Sequence, residues 1–273
     1  MGPVPLEPRR EAWRRLACRA IGVMLVSDIH ERACDLGLSI PPGPGRHERI
    51  ARIAEAGLVF IHIPKAAGMS ISQALYGTQV KHLSIRLCRQ MARGRLADLP
   101  SFAVVRDPVQ RFLSAYRYAR ARGGSSNRVA EPFRARYAGF RSIDDALDHV
   151  EGAASAYAVD HIFRPQSWYV TDADGELAVD RLLMMDDIPH LPRLVPGFPD
   201  TVIPCLNQSP AIDTSLSARQ RNRLLHLYAA DVALWEAVVT GQARRRTAPS
   251  PQLQAEHRPW ALPARLARPT PPR

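Results

Sequence analysis

A chain of 273 residues with 46% hydrophobic content is long enough for one α/β domain with a filled core, plus tails. Its 37 Lys and Arg against 26 Asp and Glu give a formal net charge of +11, which raises nucleic acid as a partner. The location of the excess argues against that at the core: residues 1–57 balance at +2, 58–241 at +3 and 242–273 at +6, with no aromatic-interleaved basic patch.

In chain order, residues 1–15 are polar and read as mobile. Leu16 to Val26 is the nearest approach to a signal-peptide core, but Arg19 interrupts it and no small-residue cleavage site follows. No run approaches the roughly 20 apolar residues of a membrane span. Ala17 to Leu36 has helical spacing (Ile21, Met24, Leu25, Ile29) ended by Gly37, and a Pro/Gly linker runs from Pro41 to Gly45. A second helical piece, His47 to Ala56, leads to Gly57. Residues 1–57 therefore read as a helical arm, a lid or a packing strap on an α/β domain of residues 58–241.

The organising stretch is Leu58 to Gly77, LVFIHIPKAAGMSISQALYG. Leu58 to Ile63 is a short apolar run rich in β-branched residues, as a buried strand should be. Pro64 removes a donor and stops the ladder. Lys65-Ala66-Ala67-Gly68 is a loop of small residues around one ammonium. Ser70-x-x-Gln73 has the form of a capping box, and Ile71, Ala74 and Leu75 give a helix its apolar face up to Gly77. A strand, a small-residue loop and a helix N-terminus beside a Lys suit an anion such as phosphate or sulfate; the plainer alternative is a strand-to-helix turn with a surface Lys. Of the 37 basic residues only Lys65 and Lys81 are lysines, which points to a need for a compact point charge at Lys65.

Thr78 to Leu83 is expected to be a second short strand, with His82 at its carboxyl end, where open parallel sheets bind ligands. Ser84 to Ala92 follows as a helix. The next informative stretch is Ser101 to Arg120, SFAVVRDPVQRFLSAYRYAR. Phe102 to Val105 is a core strand ending in Arg106. Asp107-Pro108-Val109-Gln110 starts a helix by a capping Asp, Pro at the first helical position and Gln reaching back. Phe112, Leu113 and Tyr116 are its buried stripe, with Arg111 and Ser114 elsewhere on the surface. Arg106 and Ser114 either converge on an anion or make ordinary salt-bridge and backbone contacts.

FIHIPKAAGMS resembles the 5′-phosphosulfate loop, and VVRDPVQRFLSAY the 3′-phosphate motif, of sulfotransferases that use 3′-phosphoadenosine-5′-phosphosulfate (PAPS). The pattern is similar to the carbohydrate-acting branch, the heparan 2-O- and chondroitin/dermatan-type enzymes. Similarity covers Leu58 to Tyr116, with weaker echoes at Phe163-Arg164-Pro165-Gln166, at Val179 to Ile188 and at Leu206-Asn207-Gln208-Ser209.

The resemblance implies a P-loop-like three-layer α/β fold, a central parallel sheet flanked by helices. It makes Lys65 the ammonium on the bridging oxygen, and Ala66, Ala67, Gly68, Met69 and Ser70 the loop around the 5′-phosphate. Arg106 and Ser114 become the 3′-phosphate clamp, and His82 falls where related enzymes place a catalytic histidine. The sequence departs from the family at Ala66 and Met69, where Thr or Ser is usual, so two side-chain hydroxyls are missing.

The implied reaction is in-line sulfuryl transfer from PAPS to a hydroxyl or amine acceptor, a carbohydrate or small metabolite, with His82 as base and no metal. A P-loop kinase would need Ser or Thr directly after the Lys, where Ala66 stands. A non-catalytic nucleotide-binding module of the same fold is the other alternative.

Beyond Gly123, Gly123 to Arg136 reads as an Arg-rich mobile loop, and Ser142-x-x-Asp145 opens a helix to about Val150. His161 to Gln166 either lines the acceptor side or forms a packed loop. Val179 to Met185 reads as a core strand, with Asp186 capping the next helix. Ser217-x-x-Gln220 caps a last long helix that buries Leu224, Tyr228, Val232, Trp235 and Val239 and ends at Gly241. Residues 242–273, rich in Pro and Arg, are expected to be disordered. Cys18, Cys34, Cys88 and Cys205 show neither zinc nor redox spacing and read as separate thiols of a reducing, cytoplasmic setting.

Overall fold

The apolar runs at Val59 and Phe102 become neighbouring strands because each is buried along its whole length. In the computed structural model, which describes residues 16–80, 82–91, 96, 98–124, 127–204 and 215–241, β1 (Val59–Ile61), β2 (Ser101–Val105) and β3 (Arg181–Met184) form a parallel sheet of order β1-β2-β3. The register pairs Phe60 with Phe102 and Val104 with Leu183. The central strand is buried at every residue, as a parallel strand covered on both faces must be.

Helices flank the sheet: α1 (Ile29–Asp35), α2 (Pro44–Ala56), α3 (Gly68–Tyr76), α4 (Ile85–Met91), α5 (Pro108–Arg120), α6 (Glu131–Ala138), α7 (Ile143–Glu151), α8 (Gln166–Val170), α9 (Leu191–Leu194), α10 (Ala218–Leu227) and α11 (Ala229–Val239). One hydrophobic cluster gathers around the strands, α3 and α8. A second joins α5, α6, α7 and α10 through Phe112, Tyr137, Phe163 and Tyr228. No helix among the described residues is long and apolar enough to cross a membrane.

Several expectations are corrected. Thr78–Leu83 is not a strand where it is described; Val80 instead uses its carbonyl to hold an imidazole. Ser70 is not a cap, because Ala67 turns left-handed and starts α3 at Gly68, placing Ser70 inside the first turn. Ala17–Leu36 breaks into pieces, with a 3₁₀ turn at Val26–Asp28 leading into α1. Gly123–Arg136 is not all loop: Gly123 bridges Arg128, and α6 starts at Glu131. Asp187, not Asp186, caps the turn after β3 by accepting from the Met184 N–H at 2.8 Å. The last long helix splits at Tyr228, and Val239 is exposed.

The largest correction concerns α5. Asp107 caps it, accepting from the Gln110 N–H at 2.8 Å, with Pro108 in its first turn as expected. The Gln110 side chain does not return the bond. Arg111 and Ser114 are not on the surface but buried, because α5 runs through the second cluster. The Ser142–Asp145 and Ser217–Gln220 capping boxes both form.

The segment around α1 brings three carboxylates into the body of the protein. Asp28 pairs with Arg164 and His161, and Asp35 with Arg86. Glu31 accepts from the Ser84 N–H and Oγ at 2.8 and 2.6 Å, fixing the start of α4. Cys18, Cys34 and Cys88 are free thiols. Residues 1–15, Lys81, Cys205, the Leu206–Ser209 echo and the 242–273 tail lie outside the described residues.

Candidate active site

Past the end of β1 the backbone does something costly for residues with a β-carbon. Lys65 has φ +68° and Ala67 φ +57°, both left-handed, on either side of a buried Ala66. This double turn reverses the chain into α3, whose N-terminus carries the positive end of the helix dipole and whose Ser70 and Ile71 amides both donate to the Ala67 carbonyl, at 3.1 and 3.3 Å. Gly68 cannot be replaced without movement: a β-carbon there would stand 1.7 Å from the His62 ring. The loop is thus pressed against His62, one residue before Ile63 and Pro64.

Arg106 follows β2 and meets this loop from the neighbouring strand. Its Nη1 donates to the Lys65 carbonyl at 3.3 Å, joining the two motif stretches directly. Its backbone is clamped by Gln166, which accepts from the Arg106 N–H at 2.9 Å and donates to the Arg106 carbonyl at 2.8 Å. Gln166 is wholly buried, and its own N–H donates to Asp231 at 2.8 Å. An unbroken chain of bonds therefore runs from Asp231 on α11 to the loop at Lys65. The sequence showed Gln166 only as part of an echo, and Asp231 not at all.

Burial and the neighbouring Arg106 guanidinium push the Lys65 ammonium down to about 8. Burial and the cations Arg117 and Arg111 also lower Arg106. Among the described residues no carboxylate forms an ion pair with either Lys65 or Arg106. Lys65 Nζ lies over the Tyr118 ring, 4.4 Å from its centroid. Ser114 sits buried on α5 and makes no hydrogen bond to Arg106. Ala66, Gly68 and Ser70 are buried, whereas Ala67 and Met69 are half-buried at the loop's outer side, with Asn127 donating to Met69 Sδ.

Beside the loop stands a histidine cluster. His62 and His82 rings meet edge to face at 4.2 Å, and His82 and His161 at 5.5 Å. His62 Nδ1 donates to the Val80 carbonyl at 3.0 Å, and His82 Nδ1 donates to the His62 carbonyl at 3.1 Å. A carbonyl only accepts, so these partners assign the proton to Nδ1 and leave Nε2 of each neutral ring with its lone pair. Burial holds His62 down to about 4; burial together with His62 and His161 holds His82 well below the ordinary imidazole value. His161 Nε2 in turn lies 3.0 Å from Asp28 Oδ1. Among the described residues no three His, Cys, Asp or Glu side chains are grouped to hold a metal ion. A shallow cavity lined by Leu58, Phe102, Arg181 and Val195 lies at the amino ends of the strands, the opposite edge from this site.

Adjacent parallel strands that lead into Lys65 and Arg106, neither of them in an ion pair with a carboxylate among the described residues, suit the handling of an anion. Residues 49–174, a little under half of the chain, match the model of the Sulfotransferase family, a likeness that supports sulfuryl transfer as the general class of reaction. The matched segment holds both motifs, His62, His82, His161 and Gln166, while Asp28 and Asp231 lie outside it. No curated protein and no solved structure matches the chain.

Proposed function

We propose that the protein transfers a sulfuryl group from PAPS to a hydroxyl or amine of a carbohydrate or small metabolite, on a P-loop-like arrangement of strand, loop and helix. The observation that carries this reading is the Arg106-to-Lys65 bond at 3.3 Å, which brings two motif cations to one edge with no carboxylate paired to either among the described residues. Two half-buried cations with no carboxylate ion pair among the described residues fit a ligand with phosphate groups at two places, and Gly68 lets the loop pass close against His62. PAPS supplies, when bound, an activated sulfuryl group on a phosphate leaving group.

In this reading Lys65 is a point charge for the oxygen on which negative charge develops. Ala66, Ala67, Gly68, Met69 and Ser70 form the 5′-phosphate loop; backbone N–H groups carry the load that hydroxyls at 66 and 69 would otherwise share. Arg106 and Ser114 hold the 3′-phosphate. His82 takes the acceptor proton at Nε2, the nitrogen its bond to the His62 carbonyl leaves unprotonated. A depressed imidazole is a weaker base, but it is in its basic form at neutral pH. A cytoplasmic setting belongs to the same reading, supported by three free thiols among the described residues. The test is transfer of labelled sulfate from PAPS onto a panel of sugars and hydroxylated metabolites. Transfer lost in Lys65→Ala supports the reading; nucleotide binding without transfer to any acceptor would make the protein a binding module instead.

A further inference from the structure

The proposed role of Lys65 leaves open what holds its ammonium before an anion makes contact. Its backbone is held in the left-handed turn. Arg106, at the end of β2, repels it. The first turn of α3, Gly68 to Ser70, offers no titratable side chain. From α5 comes Tyr118, half-buried, whose ring face lies 4.4 Å from Nζ. Near that ring stands Gly124, whose β-carbon would touch it at 3.5 Å, and burial together with the Asp160 carboxylate pushes the Tyr118 phenol up to about 12. The phenol therefore stays neutral, and it is the face of the ring that meets the cation.

We infer that Tyr118 is a positioning residue for Lys65, whose ring face keeps the ammonium charged and aimed at the strand edge where Arg106 ends. Desolvation and Arg106 both favour loss of the Lys65 proton. The negative face of an aromatic ring is the contact that opposes them. The hydroxyl has no part in this, so phenylalanine should serve as well as tyrosine. The same helix carries Ser114, so α5 would support both ends of the nucleotide: the 3′-phosphate through its second turn and the reacting end through its third.

The chain has only two lysines, which makes the test direct. Full-length protein is labelled with acetic anhydride from pH 6 to 10, and Lys65 acetylation is read by mass spectrometry with Lys81 as the internal reference. The wild type should show a midpoint near pH 8 for Lys65. Tyr118→Phe should keep that midpoint. Tyr118→Leu should lower it, raising the free-amine fraction at pH 7 by about two- to five-fold, the range of one exposed cation–ring contact. Adenosine 3′,5′-bisphosphate should bind Tyr118→Leu more weakly by a similar factor and Tyr118→Phe normally. Tyr118→Met supplies the same arm should the leucine variant not fold. An unchanged midpoint in a folded Leu or Met variant overturns the inference. The inference rests on the role proposed for Lys65, but the labelling needs neither donor nor acceptor. A lowered midpoint with no sulfuryl transfer would remove the enzyme reading alone, and an unchanged midpoint with transfer intact would remove Tyr118 alone.

Discussion

Two pairs of cations in this protein have opposite surroundings. Arg111 and Arg164 are each 1% exposed and each paired with a carboxylate. Arg111 lies 3.7 Å from Asp231 and donates to the carbonyls of Ile162 and Arg164; Arg164 donates to the Ala156 carbonyl at 2.7 Å and forks onto Asp28. Lys65 and Arg106 are half-buried, lie beside each other, and have no carboxylate partner among the described residues. A buried charge must be paired to be tolerated, so the first pair belongs to the frame. A second pair with no carboxylate ion pair among the described residues costs stability, and such a cost is expected where a bound anion would be the partner. The two pairs are mechanically linked, since the Asp231 carboxylate that faces Arg111 also holds Gln166, and Gln166 holds Arg106.

The comparison is broken most severely by removing a frame carboxylate. Asp28→Ala would leave Arg164 buried with carbonyl partners but no carboxylate and should cost about 3–5 kcal/mol of stability, measured by denaturant unfolding. A variant as stable as the wild type would show that Arg164 is not held by its pair. Lys65→Ala should do the reverse, with no loss in melting temperature and a fall in turnover of about 10²–10³-fold, the scale of one lost transition-state charge contact. Lys65→Arg should also be poor, because a planar fork does not replace a point charge in a tight left-handed turn; near-normal activity there would refute the point-charge role.

His82→Ala should lower kcat by a hundred-fold or more while nucleotide affinity stays as it was, because the imidazole serves the acceptor side. If it instead loses stability and nucleotide binding together, His82 is packing, and the base must be sought among His62, Asp107, Asp160 and His161. The smallest effect is acid sensitivity. His62 has a folded value near 4 against about 6.5 when unfolded, so between those limits the unfolded chain binds the extra proton. Stability should therefore fall as pH drops from 6.5 to 4, by at most about 1.4 kcal/mol per pH unit for this one group. A flat profile across that window would mean that the imidazole is not sealed off from solvent.

The sequence displayed the parts of the site that are local. Strand, Pro64, small-residue loop and helix follow one another in Leu58–Gly77, and Asp107-Pro108 announces the start of α5 by a cap that forms as read. What it hid depends on distant partners. Arg111 looked like a surface residue because the helix pattern shows one apolar stripe, yet Asp231, 120 positions later, reaches it from the far side. Ser70 had a cap's spacing, but the left-handed Ala67 started the helix earlier. Thr78–Leu83 had strand-like composition and was taken up instead by two imidazole–carbonyl bonds, which no period in the sequence records. Glycine at 68 and histidine at 62 were both visible; that one exists to make room for the other was not.

In the proposed function a nucleotide with a 3′-phosphate supplies the anionic partner that Lys65 and Arg106 lack among the described residues. The direct measurement is the thermal shift given by adenosine 3′,5′-bisphosphate against AMP, in the wild type and in Arg106→Ala. At a hundred-fold excess over Kd a ligand adds about 2.7 kcal/mol of stability. The bisphosphate should stabilise the wild type far more than AMP does, and Arg106→Ala should erase the difference. Equal shifts for the two nucleotides in the wild type would contradict the account.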